Sequence, residues 1–442
     1  MKFALASIVF LLRIAVAQGQ VQAPAPGGVA QPISHADRIY TGDQSSNTIT
    51  VIQPATGKVL GTISLGDTRL GAVLNPQYLK SVNTHGLGFS RDGKYIVSLS
   101  VTTNTATVIR CADNKIISQT YTDRNAHEAF FAADNRTVWV GTRGVNNITV
   151  IDGINGGVID RIPSQGGPSK VLFSPDGRTA YSNHINGTYI SIIDVASRRQ
   201  TATIKGLADK FSSDMMLSAD GDRLWVAHKM VGKVSVISLK ERKVVSVLDT
   251  GAETNHPNFA VINGTTYGFV TVAATNETKM YVQLDANQAP KYVGSIKSSG
   301  VEPHGLWPSP DNSRMYILNE HSDTVDEVDL TVYPPTIVRT LNVGQEGQAL
   351  IYVANAVPSG SNGTENLARQ GLMDKPAANK VVTLQGAHNG AEKGYNPSAL
   401  VTIRQQGGLE MVQIIGRDLS LNKTYTFGLR NSTTGSRVSK VL

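Results

Sequence analysis

Six polar turns recur along the chain at nearly constant spacing, each following an apolar run. They are Asp92-Gly93, Asp134-Asn135, Asp176-Gly177, Asp220-Gly221, Asn263-Gly264 and Asp311-Asn312, separated by 42, 42, 44, 43 and 48 residues. A period in the low forties, with β-branched runs between the turns, is the spacing of four-stranded blades set around a channel. The chain therefore reads as an all-β propeller, and its chemistry is expected at one mouth of the channel.

Each repeat divides into strands a to d, counted outward from the channel. In the fourth, Lys170–Phe173, Thr179–Tyr181, Tyr189–Asp194 and Gln200–Ile204 alternate as strands, with Ser174-Pro175-Asp176-Gly177 as the a–b turn. Strand c recurs as ITVIQ (49–53), ATVIR (106–110), ITVID (148–152), ISIID (190–194) and VSVIS (234–238). The first repeat, from Ile39, starts at strand b. Beyond the seventh repeat, Ala349–Val353 forms an apolar strand with no b, c or d after it. This segment is expected to supply the missing inner strand, closing a seven-bladed ring and removing exposed sheet edges.

Ser174-Pro175-Asp176-Gly177 with Ile192-Ile193-Asp194, and Ile39-Tyr40-Thr41-Gly42 with Thr50-Val51-Ile52, resemble the forty-residue YVTN propeller repeat. The resemblance spans about residues 39–356 and implies the fold, with little about activity. Blades six and seven depart most, their strand c reading Tyr281-Val282-Gln283-Leu284 and Val325-Asp326-Glu327-Val328.

Outside residues 35–356, the propeller span, the chain changes character. Residues 1–17 read as a secretory signal, with Lys2, an apolar stretch from Phe3 to Leu12 that Arg13 interrupts, and the small-residue site Ala15-Val16-Ala17. Residues 18–34 are rich in Pro, Gly and Gln and read as a disordered lead-in. Residues 357–378 read as a linker. Residues 379–442 contain strand-like segments at Lys380–Gln385, Ala399–Gln405, Glu410–Ile415 and Thr424–Leu429. These form either a small β-sandwich-like tail or an extra sheet along the propeller.

Eight Asn-x-Ser/Thr sequons, at Asn135, Asn147, Asn186, Asn263, Asn276, Asn362, Asn422 and Asn431, follow the signal and point to a secreted or lumenal glycoprotein. The single cysteine, Cys111, excludes an internal disulfide. Net charge is +7, but the basic residues are dispersed, with no continuous basic stripe for nucleic acid. No apolar stretch reaches the ~20 residues of a membrane helix.

Seven residues before each of the six turns stand His85, His127, Ser169, Ser213, His256 and His304. This position is the entrance of strand a, so four imidazoles are expected on one rim. Blades four and five, which carry serine there, place His184 and His228 eight residues after the turn, at the top of strand b. The small serines leave room for these rings to reach inward. His321 lies in the b–c loop of blade seven. Glu128, Lys170, Asp214, Glu302 and Glu320 neighbour the same rim, with Arg143 and Lys229 in b–c loops. Trp139 and Trp225 fall in strands b as packing residues, and Trp307 lies inward of His304.

Such a rim suits hydrogen bonding, proton transfer or metal binding by imidazole. The structural alternative is that each histidine caps a d–a loop. No His-x-His pair, Gly-rich phosphate loop, Gly-x-Ser-x-Gly elbow or haem-attachment motif is present. Asn147, Asn186 and Asn276 fall in b–c loops of the histidine face, whereas Asn135 and Asn263 fall in turns of the opposite face. Glycans around the mouth favour a small-molecule partner over a large protein.

The expectation is a cofactor-free enzyme acting on a small, largely apolar organic molecule. His85, His127, His256 and His304 are its catalytic candidates. His184, His228, His321, Glu302, Trp307, Arg143 and Lys170 are its substrate-binding candidates. Cyclisation, isomerisation or cycloaddition fits better than hydrolysis, since no activated nucleophile is evident. The overall architecture also resembles secreted fungal propellers of natural-product pathways, among them enzymes joining a tropolone quinone methide to a sesquiterpene by hetero-Diels–Alder addition. That resemblance assigns no residue a role. A metal-assisted lactonase and a non-catalytic binding or surface protein are the alternatives.

Overall fold

In the computed structural model, residues 20, 31–65, 84–283 and 288–368 are described, with residues 380–385, 398–406, 409–417, 419, 424–425, 428–430 and 437–440 of the C-terminal part. The expected signal sequence, most of the lead-in, residues 369–378 of the linker, Asn422 and Asn431 lie outside them. The chain divides into two compact units, Met1–Asp374 and Lys375–Leu442.

The first unit holds seven four-stranded antiparallel sheets. Blade four is representative: Pro168–Phe173, Thr179–His184, Tyr189–Asp194 and Arg199–Lys205 pair in chain order. Its three inner strands are almost wholly buried, while the outermost is largely exposed. That gradient follows the sequence, which is apolar in strand c and carries Arg199 and Gln200 in strand d. The inner strands of neighbouring blades touch one another around a closed ring.

Closure follows the expected route. Gly347–Val353 is the inner strand of blade one, paired with Arg38–Asp43 so that Tyr352 faces Ile39 and Ile351 faces Tyr40. Tyr352 Oη donates to Asp37 Oδ2 at 2.7 Å, fastening the junction further. Residues read as linker continue onto the same side: Asn114 Nδ2 donates to the carbonyls of Gly363 and Glu365, and Thr62 bridges Ala368.

Trp139 packs edge-on against Phe173 of the next blade, and Trp225 against Phe259, at 5.3 and 5.0 Å. Such buried indoles fix the angle between blades, and truncating either costs about 3–5 kcal/mol. The second unit contains a three-stranded antiparallel sheet, Lys380–Gln385, Ser398–Gln406 and Leu409–Arg417, and a two-stranded ladder, Gly428–Arg430 with Arg437–Lys440. No helix among the described residues is long and apolar enough to cross a membrane.

Candidate functional site

A register shift marks the entrance of strand a in six blades. Thr84 faces Ser100, yet Leu87 faces Ser98. The same offset recurs at Ala126/Ala129, Pro168/Val171, Thr254/Pro257 and Pro303/Leu306, and the closing strand shifts at Gln348. A bulge bends the strand and re-aims its side chains. Two consecutive residues can then serve the channel, as His127 and Glu128 do.

His85 and His127, in adjacent blades, meet with ring centroids 4.5 Å apart and their Nε2 atoms 2.8 Å apart. His85 Nδ1 lies 3.1 Å from Gln44 Oε1, and His127 Nδ1 lies 3.3 Å from Ser169 Oγ, which accepts from Arg143 Nε at 2.8 Å. The amide oxygen of Gln44 can only accept, which fixes the direction of the whole chain. His85 donates from Nδ1 and accepts at Nε2; His127 donates from Nε2 and accepts the Ser169 hydroxyl at Nδ1. Both imidazoles are neutral in this arrangement. Burial and the Arg143 cation agree, pushing His85 down to about 3 and His127 well below the ordinary histidine range.

His256 and His304 form a second pair, again with centroids 4.5 Å apart. His304 Nδ1 donates to the carbonyl of Gln348 at 2.9 Å, and its Nε2 lies 3.8 Å from Glu320 Oε2. His256 Nδ1 lies 3.1 Å from Asp214 Oδ2, while its Nε2 has no protein partner among the described residues. Among the four ring histidines, His256 alone combines an orienting carboxylate with a free nitrogen.

Beneath the rings lies a buried ionic floor. Lys170 Nζ sits 2.9 Å from Glu128 Oε2 and 2.6 Å from Asp214 Oδ1. Burial opposes the lysine charge, but the two carboxylates outweigh it and hold the ammonium protonated. Burial raises Glu128, whereas for Asp214 the attraction of His256 and Lys170 overcomes burial and keeps it ionised.

Blade seven supplies a second acid–base group. His321 Nε2 lies 3.2 Å from Glu302 Oε2, whose other oxygen faces Lys229 Nζ at 3.4 Å. Burial lowers His321, but Glu302 and Glu320 more than compensate and favour the imidazolium. Glu320 is pushed up to about 7 by burial and by the charge of Glu302, so its carboxyl titrates near neutral pH.

His184 and His228 do not join this ring. His184 Nε2 lies 3.0 Å from Ser191 Oγ, and His228 Nε2 2.9 Å from Ser235 Oγ, both on strand c, one strand farther from the channel. The room left by Ser169 and Ser213 is taken by Arg143. From blade three it crosses blade four, bonding Ser169 Oγ, and reaches the carbonyl of Ser213 in blade five at 3.2 Å.

The outward position has its own repeating logic. The last residue of strand b pairs with the residue seven further on, as Asp43 with Thr50, His184 with Ser191, His228 with Ser235, and Asn319 with Asp326. Thr50, Ser235 and Asp326 in turn accept a backbone N–H from the incoming d–a loop, at Gly344, Ala208 and Ser299. This brace is the capping role considered for the other histidines, found at a different position.

Phe130, Met216, Trp307 and Leu350, together with Lys170 and His256, line a cavity of about 20 Å³, the space of a single water. Trp307 packs edge-on to Phe89 at 5.5 Å and lines this cavity below the ring. The sequons Asn147, Asn186 and Asn276 border b–c loops, with Asn186 exposed and Asn276 accepting the Glu302 N–H through Oδ1.

Two residues of the ring escaped sequence inspection. Gln348 holds the ring position in blade one, seven residues before the turn residue Asn355, whose φ is positive. Gln44, in the b–c loop of blade one, carries no repeat signal at all.

No family model and no curated protein matches the chain. Solved structures do. The periplasmic gluconolactonase PpgL of Pseudomonas aeruginosa superposes with a TM-score of 0.57 at 17% identity, covering 73% of this chain and 99% of that one. Hydrazine synthase of Kuenenia stuttgartiensis gives 0.52 at 16%, covering 60% and 88%. The dihydro-heme d1 dehydrogenase NirN gives 0.52 at 14%, covering 91% and 78%. At these identities the likeness is one of fold: the chain is a seven-bladed β-propeller of an architecture shared with lactonase-like and other enzymes.

Proposed function

We propose that the protein is a secreted, glycosylated enzyme that binds a small, largely apolar organic molecule at the histidine-ringed mouth. It promotes a cofactor-free cyclisation or cycloaddition of hetero-Diels–Alder type in secondary metabolism. The observation that carries this reading is His256, oriented by Asp214 on one nitrogen and open on the other. Such an imidazole can take or give a proton, or hydrogen-bond a carbonyl oxygen as charge develops on it.

The neighbouring groups support rearrangement over acyl transfer. Ser169 is fully buried beneath Arg143, so its hydroxyl is not presented to a substrate. Lys170 is held as an ammonium and cannot attack a carbonyl. Met230 and Val231 expose apolar surface on the b–c loop of blade five, beside Lys229, where the body of the substrate can rest.

A metal-assisted lactonase is the second reading. Ligand atoms of Glu128, Asp214 and His256 lie within 4.8 Å of one another, a spacing that suits a divalent cation. The Lys170 ammonium lies between the two carboxylates, so a metal there must displace it.

Deleting the gene in its native host and comparing extracts by mass spectrometry identifies the accumulating substrate, which is then offered to purified protein. A product of unchanged mass, or of the summed mass of two reactants, supports the proposal. A gain of one water that is abolished by a chelator overturns it in favour of the lactonase.

A further inference from the structure

Arg143 differs from the other cations at the mouth in its partners. Lys170 touches two carboxylates and Lys229 touches one. Arg143 spends its Nε on a serine hydroxyl and one terminal nitrogen on a backbone carbonyl, and forms no ion pair among the described residues. Phe211 lies 5.7 Å from its guanidinium carbon.

A cation drawn partly out of water without a counter-ion is unfavourable, unless an anion arrives with the ligand. The ring around it cannot play that part. Its imidazoles at His85, His127 and His304 are held neutral, Lys229 is already paired, and Glu128 and Asp214 bond Lys170, reaching Arg143 only through their longer-range field. Arg143 is thus the cation at the mouth that touches no carboxylate among the described residues.

We propose that Arg143 anchors the substrate through an anionic oxygen, a carboxylate or an enolate, so that the mouth takes apolar molecules bearing one negative charge. A planar guanidinium suits such an oxygen pair, and Phe211 supplies an aromatic surface beside it. This assignment rests on the reading of the mouth as the substrate site and adds the class of molecule admitted.

The test is calorimetric or NMR titration of the full secreted chain with benzoate and with benzamide, which share a shape and differ in charge. Benzoate is expected to bind at least about tenfold more tightly, the range of one charge-assisted hydrogen-bond pair. Arg143→Gln is expected to remove that preference, and Arg143→Lys to retain part of it. Equal binding of the two probes, no binding of benzoate at the highest soluble concentration, or full retention in a folded Arg143→Gln protein overturns the assignment. Should Arg143→Gln fail to fold, the comparison of probes on the unaltered protein still decides.

Binding here is read without turnover, so the two proposals fail separately. Loss of benzoate selectivity leaves acid–base chemistry at His256 standing. A selective but catalytically inert mouth would instead retain the anchor and refute the reaction.

Discussion

His85, His127, His256 and His304 stand at the entrance of inner strands, while His184 and His228 end the second strand of their blades. Both sets arise from the repeat, and both are largely withdrawn from water. Burial lowers His184 to about 4 much as it lowers His85 to about 3. What separates them is the destination of the ring nitrogens. His184 and His228 bond serines of strand c within their own blade and brace the sheet, with His228 Nδ1 also facing the carbonyl of Phe211 and His184 Nδ1 buried without a hydrogen-bond partner. The mouth histidines bond across blades, and His256 keeps one nitrogen open. Depth, residue type and an unused ring nitrogen therefore do not set the two groups apart; what does is that His256 pairs one nitrogen with a carboxylate of the next blade while its ring stays partly exposed, whereas the spare nitrogen of His184 is sealed inside the sheet.

The largest effect should come from breaking that distinction at His256. His256→Ala is expected to lower kcat/KM by about 10²- to 10⁴-fold, the range of a lost general acid–base group. His184→Ala should leave turnover unchanged. Steady-state kinetics on the substrate identified by the deletion experiment measures both, and equal losses would dissolve the contrast.

Stability should separate the two regions next. Lys170→Ala leaves Glu128 and Asp214 facing each other in the buried floor, at an expected cost of about 3–5 kcal/mol. His184→Ala leaves the Ser191 hydroxyl without its ring partner and should cost about 1–3 kcal/mol. Urea unfolding of both variants gives the order, and a Lys170 variant as stable as the parent would show that the floor is not ionic.

The response to pH sharpens the comparison by direction rather than size. His85 and His184 stay neutral when folded but take up protons when unfolded, so stability present above about pH 6.5 is lost as pH falls toward their folded values. Glu320 acts in the opposite sense. Its folded carboxyl, raised to about 7, favours the folded state below about pH 4.5, and this contribution is lost as pH rises through 7. Glu320→Gln should therefore remove a loss of stability with rising pH between about 4.5 and 7, whereas His184→Gln should remove a gain with rising pH between about 4 and 6.5. Thermal melts across pH that respond alike in both variants would contradict these assignments.

Much of this molecule could be read from residue spacing. A missing inner strand at Ile39 and an orphan strand at Ala349–Val353 predict one another, because an unpaired sheet edge is costly. Counting back from the turns finds the mouth histidines, since equal strand lengths bring equivalent positions to equal height. Three features lay beyond that counting. The bulge that turns His127 and Glu128 toward the channel has no shared turn residue to announce it. The path of Arg143 depends on the length of its side chain and the emptiness above Ser169 and Ser213, and neither is a repeat property. Height alone also misplaced His184 and His228. The recurring polar pair seven residues apart, visible as Asp43–Thr50 and Asn319–Asp326, was the signal that assigns them to strand c.

The smallest predicted effect tests the direction of the hydrogen-bond chain in the neutral half of the mouth. Ser169→Ala removes the hydroxyl that donates to His127 Nδ1 and accepts from Arg143, at an expected cost of about 0.5–1.5 kcal/mol. Because the Gln44 amide oxygen only accepts, the unaltered protein should show His85 protonated at Nδ1 and His127 at Nε2. Ring nitrogen chemical shifts report both tautomers directly. In Ser169→Ala the His127 preference should weaken while that of His85, still held by Gln44, persists. A His85 protonated at Nε2, or a charged ring at either position at neutral pH, would reverse the chain and with it the account of why these two histidines are occupied while His256 is open.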